Sequence, residues 1–304
     1  MRRRMNTCAY DAREAHPERK TMPELPEVQT VVDDLIATGL AGQTITDVHV
    51  RWPGSIAALA PKAFRRTLAG RRIDNITRRA KFIVWHLDEG LTMLTHLRMT
   101  GRFYLANRDT AFGRHDHVAF SFDGQQQLRY HDTRKFGRFY IANSDTMLAR
   151  LGPEPLSRQF TARRFGQRLT TRRRHLKPLL LDQQFLAGLG NIYVDEALWD
   201  AGLHPTRSSA DLGKSEIRRL HRSIRKVLRR GLRNMGTTLG TGETTFYSVA
   251  GNRGRNKDEL KVFRRHGMPC PRCRATIVRM VVGQRSTHIC PACQKMPLPD
   301  GHDK

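Results

Sequence analysis

The chain has 304 residues, with 54 Lys or Arg against 28 Asp or Glu, a formal net charge of +26. That length is enough for two or three packed cores, and the excess of positive charge points to a polyanionic partner, nucleic acid before anionic membrane. No run approaches about eighteen uninterrupted apolar residues, and no apolar segment follows the opening Met-Arg-Arg-Arg, which argues against a membrane span and a secretory leader. Residues 1–21 are polar and read as a disordered extension or a mis-assigned start, with Cys8 a thiol of no assigned role.

A second beginning follows at Met22-Pro23-Glu24-Leu25-Pro26-Glu27-Val28. Removal of Met22 as an initiator would leave Pro23 with a free secondary amine, which can attack an electrophilic carbon and carry the new bond as an iminium. Within a chain the same nitrogen is an amide and is inert. The expectation is therefore that translation begins at Met22 or that processing exposes Pro23.

From Pro26 to about Leu40, Val28, Val31, Val32, Leu35 and Ile36 fall at helical spacing, and Gly39 and Gly42 stop the run. Pro23 and Glu24 then precede a helix N-terminus, whose positive end disfavours an ammonium at Pro23. Residues 44–142 read as short strands: Ile45 to Arg51, Arg72 to Leu87, Leu91 to His96, Arg102 to Ala106, His117 to Phe122, Gln127 to Tyr130 and Phe139 to Ala142. Turn residues between them suit hairpins in an antiparallel sandwich. Leu151-Gly152-Pro153-Glu154-Pro155 breaks the pattern, which is then helical to about Asn234. Residues 236–258 are rich in Gly and Thr and read as a loop, while Leu260 to Phe263 and Ile277 to Val282 read as strands.

Cys270-Pro-Arg-Cys273 and Cys290-Pro-Ala-Cys293 are separated by sixteen residues, a spacing that matches a four-thiolate zinc site. The end of the chain thus reads as a zinc-stapled β-hairpin, too small to fold without its metal. His115 and His117 alternate with Asp116 and could share a sheet face; packing or a phosphate contact is favoured there over a metal pair.

Taken in order, Pro23-Glu24-Leu25-Pro26-Glu27-Val28, Arg79-Ala80-Lys81-Phe82, Thr95-His96-Leu97-Arg98-Met99-Thr100-Gly101, His115-Asp116-His117, Asp132-Thr133-Arg134-Lys135-Phe136-Gly137, Leu151-Gly152-Pro153-Glu154-Pro155-Leu156, Gly188-Leu189-Gly190-Asn191-Ile192-Tyr193 and the two cysteine knuckles resemble the formamidopyrimidine-DNA glycosylase family. The resemblance runs from Met22 to about Lys295. It implies an α+β fold, with an N-terminal antiparallel β-sandwich flanked by helices and a C-terminal helix-two-turns-helix domain closed by a zinc-stapled hairpin. The divisions it suggests are 22–150, 151–235, a loop and linker at 236–264, and a zinc finger at 265–296.

The resemblance also implies a monomeric cytoplasmic enzyme that excises oxidised purines from duplex DNA and then cleaves the strand by β- and δ-elimination. Pro23 would be the nucleophile, Glu24 the acid that opens the sugar ring, and Lys81 an active-site lysine at phosphate. Met99, Arg134 and Phe136 would fill the hole left by the flipped base. Lys177, Asn191, Arg285 and His115 would hold phosphates, and Cys270, Cys273, Cys290 and Cys293 one structural Zn2+. Lys135 stands where the family often has Arg and lacks the bidentate fork. The competing readings are an endonuclease VIII-like pyrimidine glycosylase, which Leu25 and the Met99/Arg134/Phe136 set argue against, and a non-catalytic reader of damaged DNA. A zinc-ribbon RNA binder would call for aromatic platforms, whereas aromatics are 7% of the chain.

Overall fold

The computed structural model describes residues 22–141, 144–240 and 246–296. The extension with Cys8, and residues 241–245 of the Gly/Thr-rich loop, lie outside the described residues. Helix α1 (Leu25–Ala37) carries Pro26 in its first turn, where a missing N–H costs nothing. Then come β1 (Asp47–Val50), α2 (Pro61–Leu68), β2 (Ile73–Arg79), β3 (Phe82–Leu87), β4 (Thr92–His96), β5 (Gly101–Asn107), β6 (Asp116–Ser121), β7 (Gln126–Asp132) and β8 (Arg138–Tyr140). They form two four-stranded sheets, β1-β6-β7-β5 and β2-β3-β4-β8, antiparallel throughout.

Alternation along the strands sends Trp85, Phe103, Phe120, Tyr130 and Phe139 into one cluster. Phe103 and Tyr130 meet at 5.3 Å between centroids, and Tyr130 and Phe139 at 5.0 Å. Val28, Val31, Val32 and Leu35 of α1 join the same core, each worth roughly 1.5–3 kcal/mol by burial. Helix α2, hidden in the sequence among strand-like segments, adds Phe64 and Leu68 to it.

The stretch expected as one strand from Arg72 to Leu87 is instead a hairpin, β2 and β3 joined at Ala80-Lys81. A carboxylate from the other half of the chain explains the turn. Glu154 accepts from the Ala80 N–H at 2.6 Å, from Arg78 Nη2 at 2.8 Å and from Arg79 Nη1 at 3.0 Å. Ala80 is held at φ +55°, a left-handed value an isolated alanine avoids.

The second half comprises α3 (Ser144–Ala149), α4 (Ala162–Thr170), α5 (Leu176–Leu181), α6 (Asn191–Ala201) and α7 (Lys214–Arg233), followed by the hairpin β9 (Val278–Val282) and β10 (Arg285–Ile289). Helix α7 turns Ile217, Leu220, Ile224, Val227 and Leu228 inward onto a core that includes Ile192, Tyr193, Val194 and Ala197 of α6. Leu25, the first residue of α1, belongs to this second core, and its N–H donates to the Gly188 carbonyl at 3.0 Å. Leu260 to Phe263 is not a strand. The N–H groups of Lys261, Val262 and Phe263 converge on Glu196 of α6 at 2.9–3.0 Å, so they have no sheet partner to seek. No helix among the described residues is long and apolar enough to cross a membrane.

Candidate active site

Pro23 is buried, immediately before the N-cap of α1. Glu24 is that N-cap residue, yet its carboxylate leaves its own helix and enters the N-terminus of α6. It accepts from the N–H groups of Gly190 at 2.6 Å, Ile192 at 2.8 Å and Tyr193 at 3.4 Å. Unpaired N–H groups and the positive helix end favour the anion. Burial opposes it and wins: the carboxyl is pushed up to about 7, with Lys81 pulling down and Glu27 pushing further up. The approach requires glycine at 190, where a Cβ would stand 2.4 Å from the Glu24 carboxyl carbon.

Glu27 caps the start of α1 from within, accepting from the Glu24 N–H at 2.9 Å. Its other oxygen takes the Tyr193 hydroxyl at 2.8 Å and the Thr237 N–H at 2.7 Å. Burial pushes its carboxyl above the ordinary range as well, against those donors. Asn256, in the stretch 236–258 expected as a loop, is buried and donates to the Thr237 hydroxyl at 2.9 Å, which fixes that loop at one end.

Lys81 is buried in the β2–β3 turn, not in a strand, and its ammonium is pulled below the usual lysine range. Burial is the main cause, Glu24 and Glu27 oppose it, and Arg285 and Arg98 add to it. The lysine therefore feels the N-terminal carboxylates, the zinc hairpin and the turn that carries Met99. Buried His96 is driven down to about 3 by burial first and then by Arg98 and Lys81, and is neutral. Its Nδ1 accepts the Arg98 N–H at 3.0 Å.

Met99, Arg134 and Phe136 come together at the surface. Arg134 Nη1 lies 2.9 Å from the Met99 sulfur, and its guanidinium carbon 4.6 Å from the centroid of the Phe136 ring, which is 47% exposed. A large apolar ring that exposed, backed by a cation, is suited to enter a base stack. Buried Asp132 frames the pair of turns: it accepts from the Thr100 hydroxyl, from the Arg134 N–H at 3.2 Å and from the Gly137 N–H at 2.7 Å. Its carbonyl takes Nε2–H of His117 at 2.8 Å. His115 is half-buried, its ring 6.4 Å from that of His117 and its Nδ1 without a hydrogen-bond partner. Lys135 lies over the Trp52 ring at 4.3 Å.

Asn191, the first residue of α6, donates to the Ser286 carbonyl at 2.9 Å, and Arg285 beside it is exposed. Lys177, expected among the phosphate contacts, is fully buried: its ammonium donates to Asp195 at 2.6 Å and to the Ser286 carbonyl at 2.9 Å. That position ties the hairpin to α6 and leaves the charge neutralised within the protein. Asp195 also accepts from the His288 N–H at 2.9 Å.

The four cysteine sulfurs lie within 4.8 Å of one another, and none forms a disulfide. Pairs at 3.4–3.9 Å match the ~3.8 Å edge of a tetrahedron with Zn–S of ~2.3 Å. Among the described residues no other group of three or more His, Cys, Asp or Glu is arranged for a metal, and His115 and His117 belong to none. Cys270, Cys273, Cys290 and Cys293 hold one structural zinc.

Comparison with known proteins covers the same ground. The model of the formamidopyrimidine-DNA glycosylase N-terminal domain matches residues 22–139, that of the H2TH domain of the same enzymes residues 151–242, and that of a zinc finger found in FPG and IleRS residues 267–295. A formamidopyrimidine-DNA glycosylase of Protochlamydia amoebophila is 45% identical over 275 residues, covering 90% of this chain and all of that protein. One from Herpetosiphon aurantiacus is 43% identical over 276 residues with the same coverage. The crystal structure of a Lactococcus lactis FPG mutant with Fapy-dG-containing DNA superposes with TM-score 0.83 at 35% identity, over 90% of this chain and 100% of that one. The Lactococcus lactis Fpg complex with abasic-site DNA gives 0.82 at 35% identity, with equal coverage.

Proposed function

The chain belongs to the formamidopyrimidine-DNA glycosylase family, and on that premise we propose that the buried Glu24–Lys81 pair beside Pro23 is the centre at which it excises oxidised purines from duplex DNA. The enzyme is a DNA glycosylase and AP lyase. The observation that carries the assignment of residues is the Glu24 carboxyl, seated in a foreign helix N-terminus and pushed up to about 7. A carboxyl poised there is half protonated at neutral pH and can act as an acid.

In the proposed sequence the Pro23 nitrogen attacks C1′, the bond from C1′ to the damaged base breaks, and the base leaves with a proton. Glu24 gives its proton to the sugar ring oxygen, the ring opens, and the Pro23 nitrogen and C1′ are joined as an iminium. The iminium acidifies the C2′ proton, so loss of that proton expels the 3′ phosphate; a second elimination expels the 5′ phosphate. Lys81, its ammonium weakened by burial, is placed to exchange a proton with Glu24 or to meet phosphate. Met99, Arg134 and Phe136 take the vacated place in the stack, and Asn191, Arg285 and His115 lie against the backbone. The relatives crystallised with Fapy-dG and abasic DNA support oxidised purines as the substrate class. We place the protein in the cytoplasm, at the nucleoid.

The chemistry requires a free amine on Pro23. Borohydride reduction of the reaction on a duplex with 8-oxoguanine opposite cytosine is therefore run with a chain started at Pro23 and with the full chain. A covalent DNA adduct from the short chain supports the assignment. Adducts that persist after Pro23 is replaced by Gly with its amine acetylated would place the nucleophile elsewhere.

A further inference from the structure

The proposed chemistry uses the N-terminus of α6 and no residue of α7. At 3.6 residues per turn, Arg218, Arg222, Lys226, Arg229 and Arg233 fall on one line, opposite the apolar face that packs on α6, and all five are exposed. The line is about 22 Å long, and its four-residue steps are about 6 Å apart. Only Lys226 has an acidic partner, Asp200 at 2.6 Å; the four arginines bond to nothing among the described residues. Like charges at i and i+4 destabilise a helix, and a face that needs only solvation mixes signs instead. Here Arg218/Arg222 and Arg229/Arg233 repeat the same sign at that spacing.

We propose that this stripe binds the phosphate backbone of a second, undamaged DNA duplex while the cleft holds the first. Phosphates recur every ~3.4 Å along each strand, so a 6 Å step meets about every second one. Guanidinium groups take phosphate oxygens two at a time. A membrane is a poorer fit, because the apolar face of α7 is committed to the protein core and has nothing to insert. The stripe is separate from the proposed catalytic centre: α6, whose N-terminus holds Glu24, lies against the opposite side of α7. An enzyme with two such surfaces can reach a neighbouring duplex before releasing the first, which extends the search for rare damage beyond one-dimensional sliding. The proposal needs no catalysis and stands apart from the assignment of Pro23.

The test counts duplexes per chain by analytical ultracentrifugation at low salt, with the full chain and undamaged DNA of about 12 base pairs. Wild type should take up two, and R218Q/R222Q/R229Q/R233Q one, while cutting of a damaged duplex is unchanged. The quadruple Lys variant, which keeps the charge, should again take up two. Two duplexes on the Gln variant, or one on wild type, overturns the proposal. Loss of phosphatidylserine-vesicle binding in the Gln variant with two duplexes retained also overturns it, in favour of a membrane. If the quadruple Gln variant does not fold, R218Q/R229Q is read by the same count.

Discussion

Replacing Gly190 by Ala tests how the Glu24 carboxyl is held. The new Cβ would stand 2.4 Å from its carboxyl carbon and 2.6 Å from Oε1, whereas ordinary contact begins near 3.4 Å. The carboxyl has to retreat by about 1 Å, the difference between those two distances, which stretches the 2.6 Å bond from Gly190 and the 2.8 Å bond from Ile192 beyond useful length. Two bonds to a charged group are worth about 3–6 kcal/mol. Protonation near pH 7 relieves part of that, because the group already titrates there. Alanine suits the extended backbone at Gly190, φ −137° and ψ −160°, and gains about 0.4–1 kcal/mol through the unfolded chain. The expected net loss is about 2–4 kcal/mol, read as a fall of roughly 5–15 °C in Tm. Displacing an acid by 1 Å costs about 100-fold in rate. Single-turnover excision and calorimetry on the chain started at Pro23 measure both. A variant that melts with wild type and excises within twofold would refute the claim that this helix N-terminus positions Glu24.

The pH dependence follows from the same carboxyl. Its folded value, about 7, lies above the ordinary 4.5, so its contribution to stability is fully present below about pH 4.5 and is lost as pH rises through 7, amounting to roughly 3 kcal/mol. Wild type minus Glu24→Gln, followed by denaturant unfolding from pH 4.5 to 8.5, should show that slope; parallel curves count against it. Base excision should likewise fall as pH rises above 7 in wild type. Asp132→Ala should separate two activities: excision from duplex falls at least tenfold because the turns bearing Met99 and Phe136 lose their common anchor, while cleavage of a preformed abasic site changes little. Equal losses on both substrates would make Asp132 merely structural. Stripping the zinc with a strong chelator should release one metal per chain and abolish excision from a damaged duplex while the β-sheet circular dichroism remains; excision that survives metal loss would exclude the hairpin from the DNA contact in the cleft.

Much of the fold was legible because its periods were clean. The apolar spacing of α1, the strands from β4 to β8 and the paired cysteine knuckles could be read directly. Long-range carboxylates were not legible. Glu154 breaks the stretch 72–87 into a hairpin from more than seventy residues away, and nothing local at Ala80 announces it. Glu196 likewise turns Leu260 to Phe263, whose composition favours a strand, into irregular backbone. Lys177 read as a phosphate contact because its partner, Asp195, is eighteen residues distant and nothing local marks the ammonium as buried. One signal was available: Asp195 and Glu196 sit side by side in the middle of a helix, between apolar Ile192 to Val194 and apolar Ala197 to Trp199, and buried acids imply partners. Tyr193 and His96 lay inside quoted motifs, but their bonds to Glu27 and to the Arg98 N–H depend on tertiary placement.

The two halves of the protein each surrender a carboxylate to the other: Glu24 crosses into α6, and Glu154 crosses back onto the β2–β3 turn. Two crossed contacts of this kind tie the halves together, since a displacement that separates them takes the donors from both carboxyls at once. A joint held this way would leave the duplex as the more compliant member of a complex. The work of bending and unstacking falls on the DNA. A duplex whose stacking is weakened would deform at lower cost against such a joint than an intact one.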